Sequence, residues 1–231
     1  MKGGFYHLFF VLLLMKMKKF WILFSLFILP LVFYIFLSKG IYKYANLPIL
    51  TEEVQDLDML NNTAENTFTD HITVMCFLGN DITIGKGSLF NLNQTIYKRY
   101  YAKPFFQMVA VLPAGTEEAY AEVIKELAAF TDISSWKFIY SNKSNLNSLF
   151  SSLDSPYQLN EQQYSPYAFI VDKELRLRGR LDDEDTDDGK LYGYNMQSVA
   201  ILKNKMKDDI DIIYYQLKKS AEKEKRRRRE I

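Results

Sequence analysis

Phe20 to Leu37, FWILFSLFILPLVFYIFL, is an 18-residue run without a charge, and it constrains this chain more than any other segment. At 1.5 Å per residue a helix of that length spans about 27 Å, close to the hydrocarbon thickness of a bilayer. Pro30 is tolerable there, because neighbouring groups in a membrane can re-satisfy the freed carbonyl. Lys16, Lys18 and Lys19 precede the run, and Lys39 and Lys43 follow it. That distribution favours a cytoplasmic N-terminus and a C-terminal part outside. A cleaved leader would have a shorter apolar core ending in small residues. This run ends LSKGIYKY, so the reading is an uncleaved single-pass anchor. The earlier run, Phe5 to Leu14, is too short to span, and MKMKKFW from Met15 has the look of a start, so residues 1–14 read as a misplaced start.

The composition narrows the rest. One cysteine among 231 residues forbids an intrachain disulfide, and with two histidines it cannot supply a usual four-ligand zinc site. Aromatic residues at 15% argue against a disordered chain. A net charge of +1 provides no broad basic field, so no nucleic-acid partner is expected.

The expected organisation is a cytoplasmic segment over 1–19, the anchor over 20–37, a connector over 38–67, a compact domain over 68–218 and a basic tail over 219–231. Within the domain, His71 to Leu78 reads as a buried strand, and Ser88 to Tyr101 as a helix placing Leu89, Leu92, Ile96 and Tyr100 on one stripe. Phe105 to Leu112 is a second strand. A helix from an N-cap Thr116 to Phe130 buries Tyr120, Val123, Ile124 and Leu127. Trp136 to Tyr140 is a third strand, and Leu146 to Leu153 a short helix. Tyr167 to Asp172 and Leu175 to Leu181 form a hairpin, and a long helix from Asn195 to Lys218 ends the domain. This order predicts an α/β, thioredoxin-like mixed sheet flanked by helices, with an N-terminal transmembrane helix. Pro166, directly before the hairpin, holds the place of a cis-proline in that pattern.

With the segments ITVMCFLG, FFQMVAVLPAGTEEAY, WKFIYSNK and YAFIVDKELRLRGRLD in this order after one anchor, the chain resembles the SCO/SenC family. RGRLDDEDTDDGKLYGYN followed by SVAILKNKMKDDI is similar to the end of the SCO-like proteins of Bacteroidetes. The resemblance spans about residues 38–220. It implies a thioredoxin fold at the bacterial inner membrane, a domain facing the periplasm, and a place in copper delivery to cytochrome oxidase. Copper-binding members carry Cys-x-x-x-Cys after the first core strand and a His before the hairpin. Here the first stretch reads Gly79-Asn-Asp-Ile-Thr-Ile-Gly-Lys-Gly-Ser88, and the second Tyr164-Ser165-Pro166. The family's ligands have no counterparts, and its activity does not carry over.

Each remaining candidate has a plain reading. Cys76 alternates with Val74 and Leu78 and reads as a buried small hydrophobe; a residual copper or thiol-redox role is the alternative. His71 lies five residues away, which a strand places on the opposite face, so the two are poor metal partners. Gly79 to Ser88 lacks the spacing of a phosphate loop and reads as a turn with Ser88 as N-cap. Asp183, Asp185 and Asp187 have a calcium loop's opening spacing, but Asp188 and Tyr194 stand where Gly and Glu are needed. That loop reads as solvated and self-repelling. The tail Lys223 to Glu230 reads as a solvated helix end, with anionic lipid or an acidic partner as the alternative. The expected function is a non-catalytic assembly or scaffold role, in oxidase maturation through a protein partner in the membrane. No catalytic or cofactor-binding residue is expected, and copper only under the alternative.

Overall fold

A computed structural model describes residues 21–22, 24–35, 46–60 and 66–227. Residues 24–35 are helical and lie inside the expected anchor, whose Phe20, Leu23, Phe36 and Leu37 fall outside the described residues. No helix among the described residues is long and apolar enough to cross a membrane. The expected cytoplasmic segment, including the proposed misplaced start, also falls outside them, as do residues 228–231 of the tail.

The described residues from 46 onward form one sheet with helices on both faces. Its strands are β1 (Ile49–Thr51), β2 (Ile72–Leu78), β3 (Phe106–Pro113), β4 (Trp136–Ser141), β5 (Tyr164–Val171), β6 (Leu177–Arg178) and β7 (Tyr194–Asn195). The order across the sheet is β1-β6-β5-β2-β3-β4, with β7 also paired to β5. β2, β3 and β4 run parallel, while β5 is antiparallel to β2 and β6 to β5. A strand–helix–strand unit joined to an antiparallel hairpin and a closing helix is the mixed, thioredoxin-like arrangement the sequence pattern predicts.

β2 is the axis. All seven residues, ITVMCFL, are buried. Ile72, Val74, Cys76 and Leu78 face a core with α1 (Ile82–Leu92, continuing through Asn93–Tyr97 and Lys98–Tyr100), α2 (Glu117–Phe130) and α4. The last of these, α4, is Val199–Ile201, Leu202–Met206 and Lys207–Arg227. Met75 and Phe77 face the opposite core with α3 (Lys143–Ser151) and the short 3-10 turn Leu57–Leu60. The alternation follows from the two-residue period of a strand. Both long helices carry a π-type turn, at Asn93–Tyr97 and Leu202–Met206. In the first, the buried Asn93 donates to Thr131 Oγ1 at 3.1 Å and accepts from Trp136 Nε1 at 3.3 Å.

Four expectations need correction. The connector over 38–67 is not one throughout: Leu47, Val54, Leu57 and Leu60 are buried, and Ile49–Thr51 adds an edge strand to β6. Asp56 fastens the segment, accepting from the backbone N–H of Leu57 at 2.7 Å and of Phe68 at 2.6 Å. Burial disfavours its charge, but these bonds with those of Thr67 and Thr69 outweigh it and hold the carboxyl below its ordinary value. Second, there is no cis peptide bond among the described residues, so Ser165–Pro166 is trans. Pro166 instead sits where the β2–β5 register shifts, between the Cys76–Ala168 and Leu78–Tyr164 pairs. A bulge tolerates a residue without an N–H donor. Third, Thr116 holds the N-cap position of α2, but its hydroxyl donates back to Pro113 O at 2.7 Å rather than capping the helix. Fourth, the final helix runs past Lys218 to Arg227, so the boundary between domain and tail lies within one helix.

Leu57→Ala discriminates between a connector and a structural segment. The substitution should cost about 2–5 kcal/mol in urea unfolding of the folded unit, whereas a connector residue would leave the midpoint unmoved.

Candidate functional site

Open α/β sheets place ligand sites beyond the carboxyl ends of their parallel strands. Here that place is the end of β2, bounded by residues 79–85, the start of β5 and Gln197. Its backbone is tightly drawn. Gly79 has φ +67°, and a Cβ there would lie 2.7 Å from both Gln162 O and Tyr164 Cβ, so only glycine fits. Asn80 N donates to Gln162 O at 2.9 Å, tying the turn to the approach of β5.

The helix then starts six residues earlier than expected. Asp81 is the N-cap, its carboxylate accepting from Thr83 N at 3.0 Å and Ile84 N at 3.2 Å. Ser88, expected as N-cap, is buried one to two turns inside α1 and its Oγ lies 3.0 Å from Tyr164 Oη. Two glycines in the first turns, Gly85 and Gly87, hide the helical pattern because glycine weakens a helix. Gly85 has a packing reason: a Cβ there would lie 2.0 Å from Tyr120 Oη and 2.9 Å from Leu78 O.

Tyrosines therefore close the space beyond β2. Tyr120, fully buried, donates its hydroxyl toward Leu78 O at 3.0 Å and Gly79 O at 3.1 Å. Burial, with Cys76 nearby as a further contribution, pushes that hydroxyl well above its ordinary pKa. Tyr164 Oη is met by Ser88 and by Gln197 Nε2 at 3.3 Å. A helix N-terminus ordinarily favours a thiolate; here the first free N–H groups of α1 are taken by Asp81. Neither tyrosine stands out in the sequence as a site residue, since Tyr120 falls on an apolar stripe and Tyr164 precedes a strand. It is the placement of Gly85 inside α1 that marks the close approach of Tyr120, and the sequence, where that stretch reads as a turn, carries no sign of it.

The sequence candidates are not brought together. Cys76 is fully buried on the α1/α2/α4 side of β2, and burial pushes its thiol far above the ordinary value, so the thiolate needed for nucleophilic or metal chemistry is disfavoured. His71, just before β2, places Nδ1 2.8 Å from Thr69 O. Among the described residues no group of three or more His, Cys, Asp or Glu is arranged to hold a metal ion.

The acidic loop is less solvated than expected. Asp183 is buried, and Lys205 from α4 places Nζ 2.6 and 2.8 Å from its two carboxylate oxygens and 2.6 Å from Asp185 Oδ2. A lysine thus takes the place a cation would compete for. Beside it, Arg180 makes a two-pronged contact with the buried Asp209, at 2.8 and 3.0 Å, and Tyr194 Oη adds 2.6 Å. Burial pushes the Asp209 carboxyl above its ordinary value even against those bonds.

No family model matches the chain, and no curated protein does. Among solved structures, a putative protein disulfide isomerase from Bacteroides thetaiotaomicron is similar at 8% identity, TM-score 0.45, over 72% of this chain and 92% of that one. The apo Sco1 protein from Thermus thermophilus is similar at 15% identity, TM-score 0.42, over 74% and 96%. The thioredoxin domain of a thiol-disulfide oxidoreductase from Bacteroides vulgatus is similar at 16% identity, TM-score 0.39, over 73% and 98%. Strand order and direction, rather than these distant likenesses, define the fold of this chain.

Two measurements follow from the closed end of β2 and the buried ion pair. Gly85→Ala should destabilise the protein by about 1–3 kcal/mol. Tyr120→Phe should cost about 1 kcal/mol through the lost hydrogen bond, and the double variant should fall short of the sum, since removing the hydroxyl relieves the nearest clash. Arg180→Met leaves Asp209 buried without its cation and should cost about 3–5 kcal/mol at neutral pH. A carboxyl whose folded pKa is raised loses stability as pH rises through the interval from unfolded to folded value. The Arg180→Met deficit should therefore shrink on acidification through the carboxylate range, measured by urea unfolding across pH.

Proposed function

We propose that this chain is a membrane-anchored, extracytoplasmic thioredoxin-fold protein of SCO/SenC type that works without the family's copper and redox ligands. Its role is that of an assembly or scaffold protein at the bacterial inner membrane, acting on a protein partner there, in cytochrome oxidase maturation. The observation that carries the reading is the filling of the space beyond β2. Where the resemblance would put thiols and an imidazole, the chain has Asp81 capping its own helix and the hydroxyls of Tyr120 and Tyr164 bonded inward. The single thiol, Cys76, lies under that layer in the core. The charge-free run over 20–37, with lysines on both sides, supports the anchor and its direction.

The test pairs thiol reactivity with copper(I) competition on residues 44–231. Native Cys76 should react with an aromatic disulfide reagent orders of magnitude more slowly than in the urea-unfolded chain, and the protein should draw no copper(I) from a chromogenic chelator. Rapid labelling, or one-to-one copper binding abolished by Cys76→Ser, would instead establish the residual thiol-redox or copper reading.

A further inference from the structure

Charge is partitioned along this chain in a way its net value of +1 conceals. Residues 44–217 carry 15 Lys and Arg against 25 Asp and Glu, a net of −10, while residues 218–231 carry eight cations against three carboxylates, a net of +5. Residues 218–227 of the second segment are the last part of α4, which continues without interruption to Arg227. From Lys218 onward every described side chain is exposed, whereas Ile210 and Ile213 of the same helix are buried. Lys218, Lys219, Lys223 and Lys225 thus stand exposed on the last turns of α4, beyond its core-facing residues.

Stabilisation of the helix end does not account for them. The interaction of a cation with the helix dipole fades within the last turn, and Lys218 and Lys219 lie more than two turns before Arg227. Tyr215, Lys218, Lys219, Glu222 and Lys223 line one shallow recess along the extension. A partly exposed tyrosine flanked by lysines is the composition found at the headgroup level of a bilayer. Several acids of the domain that could attract such a segment are already engaged: Asp172 with Arg176 and Arg178, Asp183 with Lys205, Asp209 with Arg180, and Asp211 with Arg99.

We infer that the C-terminal extension of α4 is an electrostatic contact for anionic lipid headgroups. A body of net −10 is repelled from an anionic bilayer, so the extension presents the one strongly positive part of residues 44–231 to it and sets which end of the domain approaches the surface. This goes beyond the anchor and scaffold reading and does not rest on it.

The experiment uses residues 44–231, which hold the entire sheet and both cores, and asks for co-sedimentation with vesicles. Vesicles of phosphatidylcholine with 30% phosphatidylglycerol should bind the protein at low salt about tenfold or more better than phosphatidylcholine alone, and 0.5 M salt should release it. A variant with Lys218→Gln, Lys219→Gln, Lys223→Gln and Lys225→Gln should lose that binding, and the same four positions changed to Arg should keep it. Circular dichroism and the urea midpoint establish that each variant is folded. Equal binding to neutral vesicles, or binding unchanged by the Gln substitutions, would overturn the inference. So would salt-sensitive self-association without vesicle binding, which would assign the extension to the acidic loop of a second copy. If the extension fails the vesicle test, the proposed anchor and scaffold role is untouched; if copper binds through Cys76, the lipid contact still stands.

Discussion

Everything in this domain is built around a strand that touches no water. β2 is buried along its whole length, between β3 and β5 in the sheet and between two apolar cores across it. Such a strand admits only side chains that need no solvent, and any polar or ionisable group on it must stay uncharged or find a partner. Thr73 shows the second outcome, accepting a hydrogen bond from Gln107 at 2.8 Å. Cys76 shows the first, since burial alone holds its thiol protonated. The position that makes Cys76 a good core residue is therefore the position that disfavours its thiolate.

The same strand sets what lies beyond its carboxyl end. Leu78 and Gly79 turn their carbonyls toward Tyr120, and the left-handed turn at Gly79 lets the chain enter α1 with Asp81 already in the capping position. A helix N-terminus that satisfies its N–H groups from its own chain has less to offer an anionic ligand. The hydroxyls of Tyr120, Tyr164 and Ser88 are buried and bonded to one another, to Gln197 or to the backbone, so the space beyond β2 is filled from within. Away from this end, buried charges follow one rule. Asp172 loses solvation but gains bonds from Arg176 and Arg178, which hold its carboxyl below the ordinary value. Arg178 in turn donates to Leu47 O and Pro48 O, fastening the entry of the domain to its hairpin. Removing one partner from such a set costs more than the pair contributes, because the remaining charge is stranded.

Much of this was legible in the residues. Strands with near-continuous apolar runs, such as ITVMCFL and FQMVAVLP, declare themselves because a parallel strand covered on both faces needs no polar alternation. The stripes of α1 and α2 follow the helical period. What escaped has physical causes. Residues 46–60 bury Leu47, Val54, Leu57 and Leu60, but the acids Glu52, Glu53, Asp56 and Asp58 between them give the segment a polar look, and their spacing is not the alternation of a strand. The first turns of α1 were obscured by Gly85, which is there to make room for a tyrosine hydroxyl from another helix. Asp183 looked solvated because Lys205, its partner, is 22 residues away in sequence.

Residue type and local period alone carry the alternation of strands and helices, the central place of β2, and the lack of any Cys-x-x-x-Cys after that strand or histidine at Tyr164–Pro166. The tyrosine filling beyond β2, the trans bulge at Pro166 and the pairing of Lys205 with Asp183 and Asp185 come instead from the tertiary arrangement. Each of those depends on groups brought together from distant parts of the chain, and no local pattern records a contact whose two halves lie dozens of residues apart.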